Sequence, residues 1–223
     1  EVYAEEAAFL GPFLRHLQQA GVSVAAPLTA NNGQSLLTLN DKPAQLAPRI
    51  VGTHPQPVTV AQCTAMGKAL ATLHLALKKY PLKRHNAHGL KWWQAEAKKA
   101  RAKMTAIEQL LLDTVLDDFE ETIEDFDDLP KGLIHGDLFR DNTLFDGDKL
   151  TAILDFSEAG KDYWLLDIAI TVNDFCSDWP NVSLNTDLYH AFLAAYQQVR
   201  PLTDDEQEVL PTFLAMAATR FWL

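Results

Sequence analysis

The chain has 223 residues, 48% of them hydrophobic and 22% charged, which excludes a disordered or collagen-like protein and allows one large domain or two small ones. Nineteen Lys and Arg against 30 Asp and Glu leave a net charge of −11. Clustered cations drive binding to nucleic acid and anionic lipid, so this balance excludes both as general partners, and an anionic ligand must be met locally by a metal ion or a few placed cations. No apolar run approaches the roughly 18–20 residues of a membrane span, and no signal peptide opens the chain. Cys63 and Cys176 stand far apart and in no metal-ligand spacing. They read as buried free thiols of a reducing compartment, and these bounds together predict a soluble, cytoplasmic protein.

Residues 5–19 carry Leu10, Phe13, Leu14 and Leu17 at helical spacing. Gly11-Pro12 conflicts with a helix middle and places the expected start at Pro12, with Gly21 closing the helix. Ser35–Leu39 and Ala44–Ile50 flank the polar turn Asn40-Asp41-Lys42-Pro43, a hairpin pattern. Gly52–Pro57, with two prolines, reads as a linker. A capping box of Thr59 and Gln62 opens a helix whose stripe is Met66, Leu70, Leu73 and Leu77. His85–Gly89 is a break. Residues 91–123 read as one long helix, with a solvated acidic tract over 117–128.

Gly132–His135 is a short strand candidate. Thr143–Phe145 and Leu150–Phe156 flank the turn Asp146-Gly147-Asp148. Tyr163–Phe175 is apolar on most sides and reads as a buried helix. Leu188, Phe192, Ala195 and Val199 mark another helix, and a capping box of Thr203 and Glu206 opens the last one. His74, beside an apolar stripe, reads as a structural histidine. Of Trp92 and Trp93, at least one is expected as a core anchor, with the other available to a cleft.

The informative segment is His135-Gly136-Asp137-Leu138-Phe139-Arg140-Asp141-Asn142, followed by Ile153-Leu154-Asp155-Phe156. Phosphoryl transfer needs a carboxylate beside the attacking hydroxyl and oxygen ligands that hold Mg²⁺ against phosphates. A loop after one strand supplies Asp137 and Asn142, and the next hairpin returns Asp155 to the same end. The bland alternative is that Asp137 and Asp141 cap turns and Asp155 ends a strand. His135 either shapes this loop by backbone hydrogen bonds or takes a direct chemical part.

At these residues the chain resembles the small-molecule kinases of the aminoglycoside phosphotransferase and choline kinase superfamily, with their H-G-D-x-x-x-x-N and I-D-F motifs. Within it the chain is similar to the phosphotransferase-type homoserine kinases of bacteria. That narrower likeness rests on Asp137-Leu138-Phe139-x-Asp141-Asn142, Asp167-Ile168-Ala169-Ile170, Asn173, Cys176 and Arg220-Phe221-Trp222-Leu223. The resemblance implies an α+β, protein kinase-like two-lobe fold. A truncated small N-terminal lobe with strands, 1–52, would join a mainly helical catalytic lobe, 53–223, carrying a short catalytic hairpin. It implies ATP and Mg²⁺ as cofactors, and a small hydroxylated substrate, L-homoserine, in threonine biosynthesis.

Residue by residue, it implies Asp137 as catalytic base with His135 in the catalytic loop, Asn142 and Asp155 as Mg²⁺ ligands, and Asp167 as the brace of that loop. Arg49, Ile50 and Val51 fall where the family's hinge meets adenine, and Glu6 where a helix glutamate pairs with a phosphate-binding lysine. Asn173 and Asp174, at the end of the buried helix, stand either to bind a substrate ammonium or to cap. Arg140 stands either to touch a phosphate or to face solvent. The family begins with strands, a nucleotide-covering loop and a lysine that nothing before Glu1 supplies. With the apolar ending Phe221-Trp222-Leu223, this predicts an internal piece of a longer chain. Other readings are an aminoglycoside, choline or methylthioribose kinase-like phosphotransferase, and a kinase-like binding module without turnover.

Overall fold

The computed structural model describes residues 4–81, 83–178 and 182–223, with side chains from residue 8 onward. Helix α1 spans Ala4–Gln19. Pro12 lies inside it and does not start it. The helix tolerates Pro12 because the ring forfeits one backbone hydrogen bond, while Phe13 and Leu17 on the same helix are fully buried. Its end is a Schellman motif. Gly21 adopts φ +88°, Val22 N–H donates to Leu17 O (3.0 Å) and Gly21 N–H to Gln18 O (3.1 Å).

The first hairpin pairs β1 (Leu37–Leu39) with β2 (Lys42–Ala44). Its turn is two residues, not the four expected. Asn40 and Asp41 both take positive φ, 49° and 60°, which suits the right-handed twist of the strands. Pro43 opposes Thr38, one pair beyond the residues flanking the turn. That is a non-hydrogen-bonded site in the alternating ladder, so its missing N–H costs nothing. No strand continues to Ile50.

Helix α2 (Val60–Leu77) opens with the expected capping box of Thr59 and Gln62. The expected single helix over 91–123 is two helices, α3 (Leu90–Ala100) and α4 (Ala106–Asp125). A 3₁₀ turn at Arg101–Lys103 separates them, and Thr105 with Glu108 forms a second capping box. These side chains satisfy the first free N–H groups of α4, which makes a restart as favourable as continuation. Strand β3 (Lys131–Ile134) pairs antiparallel with β6 (Gly160–Tyr163), a strand absent from the sequence reading. Gly132 permits the pairing. A Cβ there would lie 2.4 Å from Trp164 Nε1. The second hairpin, β4 (Thr143–Asp146) and β5 (Lys149–Ile153), stops before Phe156. Asp155 takes φ +50°, a left-handed conformation that ends a strand and that Asp tolerates better than most residues.

Helix α5 (Trp164–Phe175) runs through the centre, and all of its residues but Asn173 and Asp174 are buried. A helix apolar on every side requires this surrounding. Around it pack α2, α6 (Thr186–Val199) and α7 (Asp204–Trp222). The short strands β7 (Ser177–Asp178) and β8 (Ser183–Leu184) pair between α5 and α6. The approach of α2 and α6 is close, because Gly67 faces the Phe192 carbonyl where a Cβ would sit 2.2 Å away. Segments before residue 52 join this body through one bridge, Val24 to Ile153 beside β5, through His16 Nε2 at 2.9 Å from the Ala76 carbonyl, through buried Leu17 and Val22, and through Phe13, whose ring meets Phe156 (5.6 Å) and Tyr80 (5.3 Å). Cys63 and Cys176 are buried and free. No helix among the described residues is long and apolar enough to cross a membrane.

Candidate active site

The loop between β3 and β4 leaves the core at His135, which is fully buried. Its backbone N–H donates to Asp167 Oδ2 (2.8 Å), and that of Gly136 to Asp167 Oδ1 (2.9 Å). Gly136 takes φ +80°, and a Cβ there would meet the Glu158 carbonyl at 3.0 Å, so glycine alone fits both the dihedral and the space. His135 Nε2 lies 2.8 Å from the Leu154 carbonyl, and Asp137 N–H donates to Nδ1 (3.3 Å). An acceptor on one side and a donor on the other fix the Nε2–H tautomer. The ring thus ties the loop to Leu154, which follows β5 and precedes Asp155.

Asp137 is half-buried, and Asn142 turns its amide toward it. Nδ2 donates to the Asp137 carbonyl (2.8 Å) and to its carboxylate Oδ2 (3.1 Å). The Asn142 carbonyl accepts from Leu154 N–H (2.8 Å), which brings the residue before Asp155 against Asn142. Asp155 Oδ1 accepts from Ser157 N–H (3.2 Å) and Oγ–H (2.6 Å). Burial pushes the Asp137 carboxyl up from its ordinary value, and the charge of Glu158 adds to that. His135, Arg220 and the Asn142 hydrogen bond pull it back in part.

Beneath the loop lies a buried polar chain. Asp167 Oδ2 also accepts from His74 Nε2 (3.0 Å), and His74 Nδ1 meets the Tyr196 hydroxyl (2.7 Å). Arg200 Nη1 donates to that hydroxyl (3.2 Å) and Nη2 to Glu206 Oε1 (2.7 Å). Glu206 Oε2 completes the cap of α7 by accepting from Thr203 N–H (3.0 Å). Burial lowers the His74 pKa, and the donor count agrees. Tyr196 O–H can donate only if Nδ1 is bare, because Arg200 offers donors alone. Burial works against the Asp167 carboxylate, but hydrogen bonds from His74 and the loop N–H groups bring its pKa below the ordinary value. His74 is thus a structural residue, as its position on the stripe suggested, stacked on Trp164 at 5.4 Å.

Three sequence-derived candidates have hydrogen-bond partners other than Asp137. Arg140 is partly buried and ion-paired. Its Nε and Nη2 grip the two carboxylate oxygens of Asp174, each at 3.0 Å, and its backbone N–H adds a third bond (2.7 Å). Asp174 is therefore committed to Arg140 and is no helix cap. Asn173 Nδ2 donates to the Leu214 carbonyl (2.9 Å) and fastens α5 to α7. Arg49 and Val51 are exposed, Val51 at 77%, and Ile50 is half-buried. Among the described residues the backbone groups of Arg49, Ile50 and Val51 pair with no other backbone group. The chain then closes onto the second hairpin through Thr53, whose N–H and carbonyl both bond Phe145 at 2.9 Å. The Glu6 side chain lies outside the described residues.

Two larger cavities, about 650 and 540 Å³, both reach Gln56 and Arg140. Asp137 does not line either. It lines a smaller one of about 250 Å³, shared with His88, Trp92, Glu158, Arg220 and Phe221. Chemistry decides between them, because only the small cavity holds a half-buried carboxylate with an upward-shifted pKa. Trp93 is instead a core residue, edge-on to Phe119 at 5.2 Å. Sequence reading missed Glu158, Arg220 and His88. Arg220 left a signal, since it extends the buried stripe of Val209, Phe213, Met216 and Ala217 at helical spacing, where a charge is out of place. Glu158 and His88 left none.

Asn142 turns Nδ2 to Asp137, and among the described residues no hydrogen bond engages its side-chain oxygen Oδ1 or the second carboxylate oxygen, Oδ2, of Asp155. Two hard oxygens from side chains are what Mg²⁺ ordinarily takes from a protein that also binds phosphates, so the donor set fits that ion.

The comparisons agree with this geometry. The family described as "Phosphotransferase enzyme family" matches residues 1–206. The chain is 36% identical over 223 residues to homoserine kinase of Janthinobacterium sp. (strain Marseille), covering 98% of this chain and 69% of that protein. Among solved structures it superimposes on a microcompartment-associated aminopropanol kinase with a TM-score of 0.70 at 23% identity, covering 96% of this chain and 72% of that one. It also matches the amicoumacin kinase hAmiN in complex with AMP-PNP, Ca²⁺ and Ami, with a TM-score of 0.68 at 21% identity, covering 97% and 69%. At such identities the structural likeness establishes the fold, and the α+β kinase-like architecture expected from the sequence holds. From the catalytic-loop geometry and the match over residues 1–206, the chain belongs to the phosphotransferase enzyme family.

Proposed function

We propose that the chain is an ATP- and Mg²⁺-dependent kinase that transfers the γ-phosphoryl group to the hydroxyl of L-homoserine, a cytoplasmic step of threonine biosynthesis. The carrying observation is the hydrogen bond from Asn142 to the Asp137 carboxylate, with the Asn142 backbone bonded to Leu154 beside Asp155. This contact supports a base and two metal-type oxygens at adjoining ends of one loop and one hairpin. The name of the 36% identical relative supplies the alcohol.

In this reading Asp137 orients the hydroxyl and accepts its proton as oxygen bonds to phosphorus. Its raised pKa makes it a better acceptor than an ordinary aspartate. His135 and Asp167 hold the loop. Mg²⁺, on Asn142 and Asp155, would neutralise the phosphates. The unpaired backbone edge at Arg49, Ile50 and Val51 would meet adenine, with Val51 offering apolar surface, and Glu6 would pair with a phosphate-binding lysine. Residues 1–52 then form the remainder of the nucleotide lobe and 53–223 the catalytic lobe.

The test is ADP release with L-homoserine, using the full natural chain. Asp137→Asn is expected to lower kcat by about 1,000-fold, within the usual span for loss of a general base, while AMP-PNP binding by calorimetry is retained. An Asp137→Asn protein that turns over near the wild-type rate refutes the assigned base.

A further inference from the structure

Arg220 is 6% exposed, and only one hydrogen bond engages its five N–H groups among the described residues, from Nη1 to the Gly136 carbonyl (2.7 Å). No carboxylate lies within ion-pair distance of it among the described residues, although it lines the same cavity as Asp137 and Glu158. A buried guanidinium with spare donors carries a desolvation cost that a partner normally relieves. In the same cavity, Glu158 Oε2 bonds His88 Nδ1 (2.5 Å), and Trp92 also lines it, its ring perpendicular to that of His88 with centroids 4.8 Å apart. Among the described residues no hydrogen bond engages Oε1 of Glu158. The cavity therefore presents a cation, an anion and the base Asp137 around about 250 Å³, below the roughly 300–1,000 Å³ of sites for drug-sized ligands. That is room for a small zwitterion.

Resting on the kinase reading of this site, we infer that Arg220 grips the carboxylate of an α-amino acid substrate and that Glu158 takes its ammonium, so that the side-chain hydroxyl reaches Asp137. Guanidinium and carboxylate match as a planar fork. Two opposite poles also select against alcohols that lack either charge, because a missing carboxylate leaves the buried Arg220 without an anion and a missing ammonium leaves Glu158 with His88 alone. Arg220 is thus a specificity residue, and its bond to the Gly136 carbonyl makes it a positioning residue for the loop as well.

The experiment compares kcat/KM for L-homoserine with that for 3-aminopropan-1-ol, which keeps ammonium and hydroxyl and lacks the carboxylate. Calorimetric Kd values for the two supply the same ratio independently of turnover. Arg220→Met is expected to lower the homoserine preference roughly 100-fold, the scale of a lost charged fork, and Arg220→Lys roughly 10-fold. Glu158→Gln is expected to erode the preference for homoserine over 4-hydroxybutanoate, which lacks the ammonium. Equal losses on both alcohols in the Met and Lys variants reduce Arg220 to a loop anchor and overturn the inference. A raised KM for ATP with an unchanged alcohol ratio assigns the guanidinium to phosphate and overturns it too. Wild-type protein that transfers phosphate to neither alcohol defeats the kinase reading itself, a distinct result.

Discussion

Asp167→Asn tests the brace under the catalytic loop. The carboxylate accepts three hydrogen bonds in a fully buried site, from His135 N–H, Gly136 N–H and His74 Nε2. An amide has one acceptor oxygen. Placed toward His135 and His74, it leaves its NH₂ facing the Gly136 N–H, two donors without an acceptor. An unsatisfied buried donor costs about 1–3 kcal/mol, and bonds to a charged acceptor are worth more than neutral ones. Together these predict about 2–4 kcal/mol of lost stability. At roughly 2–4 °C per kcal/mol for a domain of this size, the melting temperature falls by roughly 5–15 °C.

Because Gly136 precedes Asp137, displacement of the loop is expected to lower kcat by about 100-fold, the scale of a 1 Å misplacement. Differential scanning calorimetry near neutral pH and an ADP-release assay read the two effects. The pH dependence carries a sign. Asp167 has a depressed pKa in the folded state, so its contribution is complete above the ordinary aspartate pKa of about 3.9 and is lost as pH falls through the lower folded value. The gap between wild type and Asp167→Asn therefore closes on acidification. A variant melting within about 2 °C of wild type, against the shift expected for its size, refutes the donor accounting.

Gly67→Ala, although alanine favours helix by about 1 kcal/mol over glycine, is expected to be net destabilising by about 1–3 kcal/mol. Its Cβ would fall 2.2 Å from the Phe192 carbonyl, and the urea midpoint measures it. Burial depresses the His74 pKa, so protonation favours the unfolded chain, and stability declines as pH drops below about 6.5. In His74→Gln the fall in melting temperature between neutral and mildly acid pH is expected to be shallower than in wild type. The Glu158 charge helps to raise the Asp137 pKa. Glu158→Gln should therefore move the acidic limb of the kcat/KM profile to lower pH, and a limb that stays put or moves upward contradicts that coupling.

Local chemistry was the readable part of the sequence. The boxes at Thr59 with Gln62 and Thr203 with Glu206 both stand as expected, because donor, acceptor and spacing lie within one turn. The same signal at Thr105 and Glu108 was overlooked inside a long polar helical pattern, and the break came with it. The loop from His135 to Asn142 was legible as a motif. The groups that face Asp137 across the small cavity were not, since His88 and Arg220 come from segments far apart in the chain that meet only after folding. Strand β6 was hidden for a related reason. Gly160-Lys161-Asp162-Tyr163 has little strand character of its own, and its pairing depends on Gly132 leaving room for Trp164 and on Gly160 lying against the Asn86 backbone.

The polar chain from Asp167 through His74, Tyr196 and Arg200 to Glu206 means that the floor of the cleft is moored to the far helices. The loop that carries Asp137 is thereby settled several side chains below the surface, before anything arrives at that carboxylate. The segments before Gly52 are anchored differently, by the bridge from Val24 to Ile153, the Phe13 ring cluster and the apolar side chains that α1 adds to the shared core.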